Sequence, residues 1–331
     1  MSKNIICIGE CMLEVQFTDL ASKSLTSTDL VNIDLSNTDL VEKYLADNGL
    51  AYGGDVYNTA FAIQQCSINR NKVNFLSAVG DDEFSQQMIA CWQQQDIDAE
   101  YVSILTGKHA GLYVVKTDDA GERSFTYWRN ESAAREFFQS TQFPTLLDTI
   151  AAPRCLYFSG ISLAIMSEVN RERLLHYAKQ WAESGCVIAF DSNYRPQLWS
   201  SIDEARHWVD AAWEVTTIGL PTLDDDQQLF GIESAAQSIE KLCGLGVALG
   251  AVKLGKAGCI AFDGDNATGL KIPAPKIDTA KVIDTTGAGD AFNGAFIAIY
   301  LEHGNCELAT KAGVNRAAET VQHLGAIPRS T

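Results

Sequence analysis

The stretch Asp284-Thr285-Thr286-Gly287-Ala288-Gly289-Asp290-Ala291-Phe292 places two glycines just ahead of Ala291 to Leu301, an apolar run of helical composition. Glycine lets the backbone approach a ligand closely, and the first turn of a helix presents unpaired N–H groups along with the positive end of its dipole. Together these suit an anion. Asp290 has two readings. Carboxylates routinely cap or stabilise the first turn of a helix. A simple cap, however, needs neither the flanking glycines nor a second aspartate upstream. The alternative is that the amide nest stabilises a transferring phosphoryl group while Asp290 takes the proton of the attacking hydroxyl.

Working outward from this loop, strands are expected at Leu156–Ser159, Val187–Phe190 and Gly250–Leu254, alternating with helices near 168–183, 203–214 and 234–243. Such alternation predicts an α/β fold with a largely parallel sheet flanked by helices on both faces. Ile5 to Ile8 reads as a first buried strand, and Val73 to Val79 as another. Between them Gly53-Gly54 precedes a helical stretch, Asp55 to Gln65. After Asp81-Asp82, Phe84, Met88, Cys91 and Trp92 share one helical face, which a core stripe explains. Gly111–Lys116 and Ser124–Trp128 flank a turn-like Thr117 to Glu122, so an antiparallel hairpin is expected. In parallel α/β sheets ligands bind beyond the carboxyl ends of the strands. Gly9-Glu10, Asp191-Ser192-Asn193, Lys253 and the 284–290 loop all fall at such ends. The Thr-Asp-Leu triplets at 18–20, 28–30 and 38–40 are too few and too short for a repeat architecture.

Composition narrows the partners. The chain has 331 residues, 46% of them hydrophobic and 20% charged, which is enough for one large core with a minor excursion. A formal net charge of -17 opposes nucleic acid and anionic lipid, so neither is expected as a partner. A bound polyanion would need local donors and a divalent cation. The nine cysteines have no C-x-x-C pairing or matching histidine spacing, and reduced core thiols are expected. Met1-Ser2-Lys3-Asn4 leads directly into Ile5 without a long apolar region or a small-residue cleavage site, which points to a cytoplasmic protein.

The 284–290 stretch resembles the D-T-x-G-A-G-D signature of ribokinase (PfkB) family sugar kinases. That resemblance makes Gly287, Ala288 and Gly289 the anion hole and Asp290 the catalytic base. Gly53-Gly54-Asp55-Val56-Tyr57-Asn58, by itself an ordinary turn and helix cap, matches the family's second signature in order and distance. It is then the sugar-hydroxyl site, with Gly53, Gly54, Asp55 and Asn58 as substrate contacts. The resemblance runs from Ile5 to about Ile327, except for a longer region between Val15 and Ala51. It implies a ribokinase-like kinase domain over 1–331 and a small β lid from about 15–52 and 109–130. An exposed lid sheet would also offer a face for a second subunit. No P-loop and no dinucleotide G-x-G-x-x-G is present.

Further segments resemble the branch of that family that phosphorylates 2-keto-3-deoxygluconate at its 6-hydroxyl: Ile8 to Met12, Gly121 to Asn130, Ser159 to Ser162, and Asp191 to Trp199. A planar guanidinium can grip the carboxylate of a sugar acid through two charge-assisted hydrogen bonds. The resemblance assigns Tyr113, Tyr127, Arg129 and Arg195 to the sugar acid. Arg129 also reads as a surface partner of Glu131, and alternating aromatics on a strand also read as packing. Asn193, Arg195, Lys253, Gly255 and Gly258, with Gly287 and Gly289, are implied at the nucleotide, and ATP and Mg2+ as cofactors. Many members carry N-x-x-E where Thr222-Leu223-Asp224-Asp225 stands here, so no direct metal ligand is assigned. Two other functions remain open: the same chemistry on another ketose such as fructose, and a non-catalytic sensor, for which Asp290 would have no use.

Overall fold

The computed structural model describes residues 4–16, 51–68, 71–117, 123–264 and 266–327. The Thr-Asp-Leu triplets, most of the 15–52 excursion and the 118–122 turn therefore lie outside the described residues.

Nine strands form the main sheet. In chain order they are β1 (Asn4–Ile8), β4 (Lys72–Gly80), β5 (Ile97–Leu105), β8 (Cys155–Ser159), β9 (Val187–Asp191), β10 (Ile218–Gly219), β11 (Leu249–Lys253), β12 (Cys259–Asp263) and β13 (Asn266–Ile272). Their spatial order is β13-β12-β11-β10-β9-β8-β1-β4-β5. From β11 to β5 every pairing is parallel, while β12 and β13 add an antiparallel edge. The predicted largely parallel sheet is present.

The pleat explains the run of apolar residues in β1. Ile5 and Cys7 join the core on one face with Val56, Ala60, Phe292 and Phe296, whereas Ile6 and Ile8 join the other with Phe137, Leu163 and Leu174. Successive side chains point to opposite faces, so a strand covered on both must be apolar at every position. Helices Asp55–Cys66 (α1) and Glu83–Gln94 (α2) behave as the sequence predicts, and in α2 Met88 and Trp92 are buried. All nine cysteines are free. Among the described residues no helix is long and apolar enough to cross a membrane.

A second sheet of four strands has the order β3-β2-β6-β7, formed by β2 (Met12–Gln16), β3 (Ala51–Gly53), β6 (Gly111–Thr117) and β7 (Arg123–Trp128). β6 and β7 are the predicted antiparallel hairpin, with Tyr113 opposite Tyr127. This sheet starts three residues earlier than the sequence suggested, because Met12 already pairs with Gly53 and Gly111. It stands where β1 ends. There the chain order reverses between β4 and β8, at the sheet's topological switch point.

Behind the site, Trp213 packs edge-on against Phe190 at 4.6 Å between ring centroids, one residue from Asp191. Trp213→Ala should cost about 3–5 kcal/mol, as expected for emptying a buried indole position. Urea denaturation checks this, and a loss under about 1 kcal/mol would mean that this corner is not packed as described.

Candidate active site

The helix Ala288–His303 (α10) starts after Gly287, whose φ of 72 lies in the left-handed region that glycine adopts freely. Its N-cap supplies no side-chain hydrogen bond. Other helices of this chain do have one: Asp82 caps α2, Ser201 caps Ile202–Trp213 and Asn305 caps Cys306–Thr320. The Ala288 amide donates to Thr285 O at 3.3 Å, so the free N–H groups of the first turn are those that follow it. The loop itself is braced. Asp284 accepts hydrogen bonds from the Thr286 amide at 2.8 Å and the Gly325 amide at 2.6 Å. A side chain at Gly287 would collide with Ala326.

Asp290 sits in the first turn of α10 and is partly exposed, so a ligand can reach it. Asn58, from α1, donates its Nδ2–H to Asp290 Oδ2 at 2.8 Å. The other polar atom of that amide, Asn58 Oδ1, is buried and without a hydrogen-bond partner, leaving an acceptor for a hydroxyl. Burial pushes the Asp290 carboxyl up to about 7, and the charges of Asp55 and Asp191 push the same way. The Asn58 hydrogen bond and the Lys253 ammonium oppose them. A carboxyl near 7 is matched to proton transfer at neutral pH.

Lys253, at the end of β11, is buried and donates to Asp191 Oδ2 at 2.6 Å and to Asn293 Oδ1 at 3.0 Å. Asn293 in turn donates to Asp191 Oδ2 at 2.7 Å and to the Tyr157 hydroxyl at 3.2 Å. A Cβ at Gly289 would lie 3.7 Å from the Lys253 ammonium, which puts this cation beside the anion-binding turn. The sequence marks Asp191 as part of a strand-end triplet but gives it no role, and it does not single out Asn293. Their detectable signal was a polar residue at an apolar strand end and another one turn into an apolar helix.

Asn193 donates to Asp55 Oδ2 at 2.9 Å, joining the strand-end loop after β9 to the Gly53-Gly54 turn. Arg195 is exposed at the rim, 3.5 Å from Asp225. Burial and the charge of Asp191 push Asp225 up to about 6, against the pull of Arg195 and Lys253. Among the described residues no three His, Cys, Asp or Glu side chains are grouped to hold a metal. Gly255 to Ala257 form an exposed turn after β11, and Gly258 packs against the backbone leaving β13.

The small sheet supplies the remaining residues. Gly53, Met12, Glu14, Tyr113 and Tyr127 occupy paired positions on one face. Tyr113 is buried and its hydroxyl donates to Glu14, in space that a side chain at Gly53 would fill. Tyr127 is 44% exposed and lies over Tyr113 with 5.8 Å between ring centroids. Burial raises the Tyr127 phenol, while the charges of Arg129 and Arg195 lower it and that of Asp55 raises it. Arg129 is not the surface partner of Glu131 that one sequence reading expects. It is buried, and its Nη2 is paired with Glu10 rather than with Glu131.

The sequence-predicted residues thus divide into the Asn58–Asp290 pair, the Gly287 to Gly289 turn with Lys253 beside it, and the arginines, Arg129 paired with Glu10 and Arg195 near Asp225. Residues 2–331 match the pfkB family carbohydrate kinase description. The chain is 36% identical over 329 residues to the 2-dehydro-3-deoxygluconokinase of Escherichia coli K12, covering 99% of this chain and 97% of that one. Among solved structures, a candidate ribokinase II from Escherichia coli in complex with ATP and Mg2+ superimposes with a TM-score of 0.76 at 20% identity, over 98% of this chain and 94% of that one. Salmonella enterica aminoimidazole riboside kinase, complexed with aminoimidazole riboside and an ATP analogue, gives 0.74 at 20% identity, over 98% and 95%. The ribokinase-like fold and the full-length match agree, and the chain belongs to the pfkB family of carbohydrate kinases.

Proposed function

We propose that this kinase transfers the γ-phosphoryl group of MgATP to the 6-hydroxyl of 2-keto-3-deoxygluconate, giving 2-keto-3-deoxy-6-phosphogluconate, ADP and a proton. The observation that carries the reaction is the Asp290 carboxylate, poised near 7 in the first turn of a helix whose N-cap offers no side chain. The substrate assignment is supported by near-full-length similarity to the curated enzyme and by two arginines close to Tyr127.

Asn58 orients Asp290, and its free Oδ1 can hold the substrate beside it. As the hydroxyl oxygen attacks phosphorus, its proton passes to Asp290. The amides of Gly287, Ala288 and Gly289 stabilise charge on the phosphoryl oxygens, and Lys253 adds a cation beside them. The uncapped amides and this cation fit a phosphate chain. Magnesium, when bound, neutralises the phosphates; it keeps several waters, so Asp225 suits contact through water. Gly255 to Gly258 and Asn193 would border the nucleotide. Arg129 and Arg195 would hold the sugar carboxylate with Tyr127 above it, while buried Tyr113 supports Tyr127 from within the sheet. The four strands β2, β3, β6 and β7 would act as the lid, excluding water from the phosphoryl acceptor. One observation favours a neutral ketose such as fructose instead: Glu10 already engages Arg129.

Asp290→Asn should lower kcat by about 10²–10⁴ and leave ATP and sugar binding within a few-fold of wild type. Wild-type kcat/KM should fall as pH drops through about 7, because the base must be ionised in the free enzyme. A carboxyl with a raised native value binds its proton more tightly when folded, so its ionisation at higher pH costs stability. Asp290→Asn should therefore raise the thermal midpoint more at pH 8 than at pH 5. A variant with most of its kcat would reduce Asp290 to a helix cap.

Arg195→Leu and Arg129→Leu should each lose about 2–5 kcal/mol of transition-state binding, at least tenfold in kcat/KM, on the sugar acid and far less on a neutral ketose. A coupled ADP-release assay with 2-keto-3-deoxygluconate, fructose, ribose and gluconate measures the ratio. If both variants retain the wild-type preference, a general ketose kinase is the better reading. Saturating sugar acid should also slow proteolysis within 111–128, and unchanged cleavage would remove the lid assignment.

A further inference from the structure

The chain crosses between the large and small sheets four times in the described residues: at 9–11, at Gly54, at 106–110 and at 129–132. Glu10 touches all four crossings. It lies on the first, and it is 2% exposed although it is a carboxylate. A side chain at Gly54 would strike its carbonyl oxygen. One at Gly111, the first residue of β6 after the third crossing, would lie 2.9 Å from Glu10 Oε1. On the fourth crossing Ser132 donates its hydroxyl to Oε1, and Arg129 pairs with Oε2.

The pairing with Arg129 leaves donors unspent. Nη2 is held against Glu10 Oε2, whereas Arg129 Nε is buried without a hydrogen-bond partner. A buried guanidinium needs a counter-charge, and a planar fork with free donors is suited to a second carboxylate. We infer that Glu10 is a positioning residue of the sugar-acid site: it compensates the buried Arg129 charge and fixes the orientation in which that guanidinium would meet the substrate carboxylate. Glu10 itself does not touch the sugar. The inference rests on the sugar-acid reading of the site given above.

Glu10→Gln keeps size and the Ser132 hydrogen bond but removes the charge. It should raise KM for 2-keto-3-deoxygluconate at least tenfold while the ATP KM stays within twofold. Combined with Arg129→Leu it should add no further loss, because its effect passes through that side chain. Gly111→Ala, which crowds Oε1 without changing any charge, should shift the sugar-acid KM in the same direction, and it serves as the test if Glu10→Gln does not fold. An unchanged or lowered sugar-acid KM in Glu10→Gln, beside a raised one in Arg129→Leu, overturns the positioning role. Equal loss for sugar acid and ATP, additive with Arg129→Leu, also overturns it and leaves Glu10 a structural staple. If Arg129→Leu itself leaves the sugar-acid KM unchanged, the sugar-acid reading fails instead, and the inference falls with it.

Discussion

The ammonium of Lys253 lies between Asp191 and Asn293, and this buried contact ties three elements to one point: the ends of β9 and β11 and the second turn of α10. The position of Asp290 depends on it. Without a fixed α10, neither the amide nest nor the carboxylate would have a defined relation to Asn58 across the sheet end. Breaking such a pair by removing one partner strands the other charge in a poor solvent, at a cost of about 3–5 kcal/mol. The cluster is closed by further hydrogen bonds to Tyr157 and onward to Thr59, so its polar groups are served without water.

Electrostatics around this point run against the chain as a whole. A net charge of -17 should repel a nucleotide, and Asp55, Asp191 and Asp290 add three carboxylates at the site. Attraction is therefore local. It would come from free amides, from Lys253 and from Arg129 and Arg195, which are themselves matched with Glu10 and Asp225. The same crowding of carboxylates, together with burial, lifts Asp290 to about 7. Poor solvation of a charge is what makes a carboxyl an effective base at neutral pH.

The second sheet grows from the place where β1 stops, and its strands share residues with the site rather than simply covering it. Tyr113 and Glu14 satisfy one another inside it, so the Tyr127 ring rests on a packed support. Glu10 sits at the root of all four crossings. Its burial links the geometry of the small sheet to that of the helix capped by Ser132.

Local features were legible in the sequence. The uncapped helix start at 287–290 follows from Gly287, since glycine both permits the left-handed turn and lacks a capping side chain. The parallel sheet follows from strands with unbroken apolar runs, Ile5 to Ile8 in β1 and Cys155 to Phe158 in β8, alternating with helices. What the sequence alone determined was therefore the class of fold, the anion-binding turn and the candidate base. Tertiary structure decided the partners. Asn58 meets Asp290 from 232 residues away, Asn193 meets Asp55 from 138, and Arg129 turns to Glu10 rather than to nearby Glu131. Backbone conformation at a turn or strand is governed by adjacent residues. The counter-charge of a buried side chain is set by which distant strand end the packed sheet brings beside it, and no local pattern contains that information.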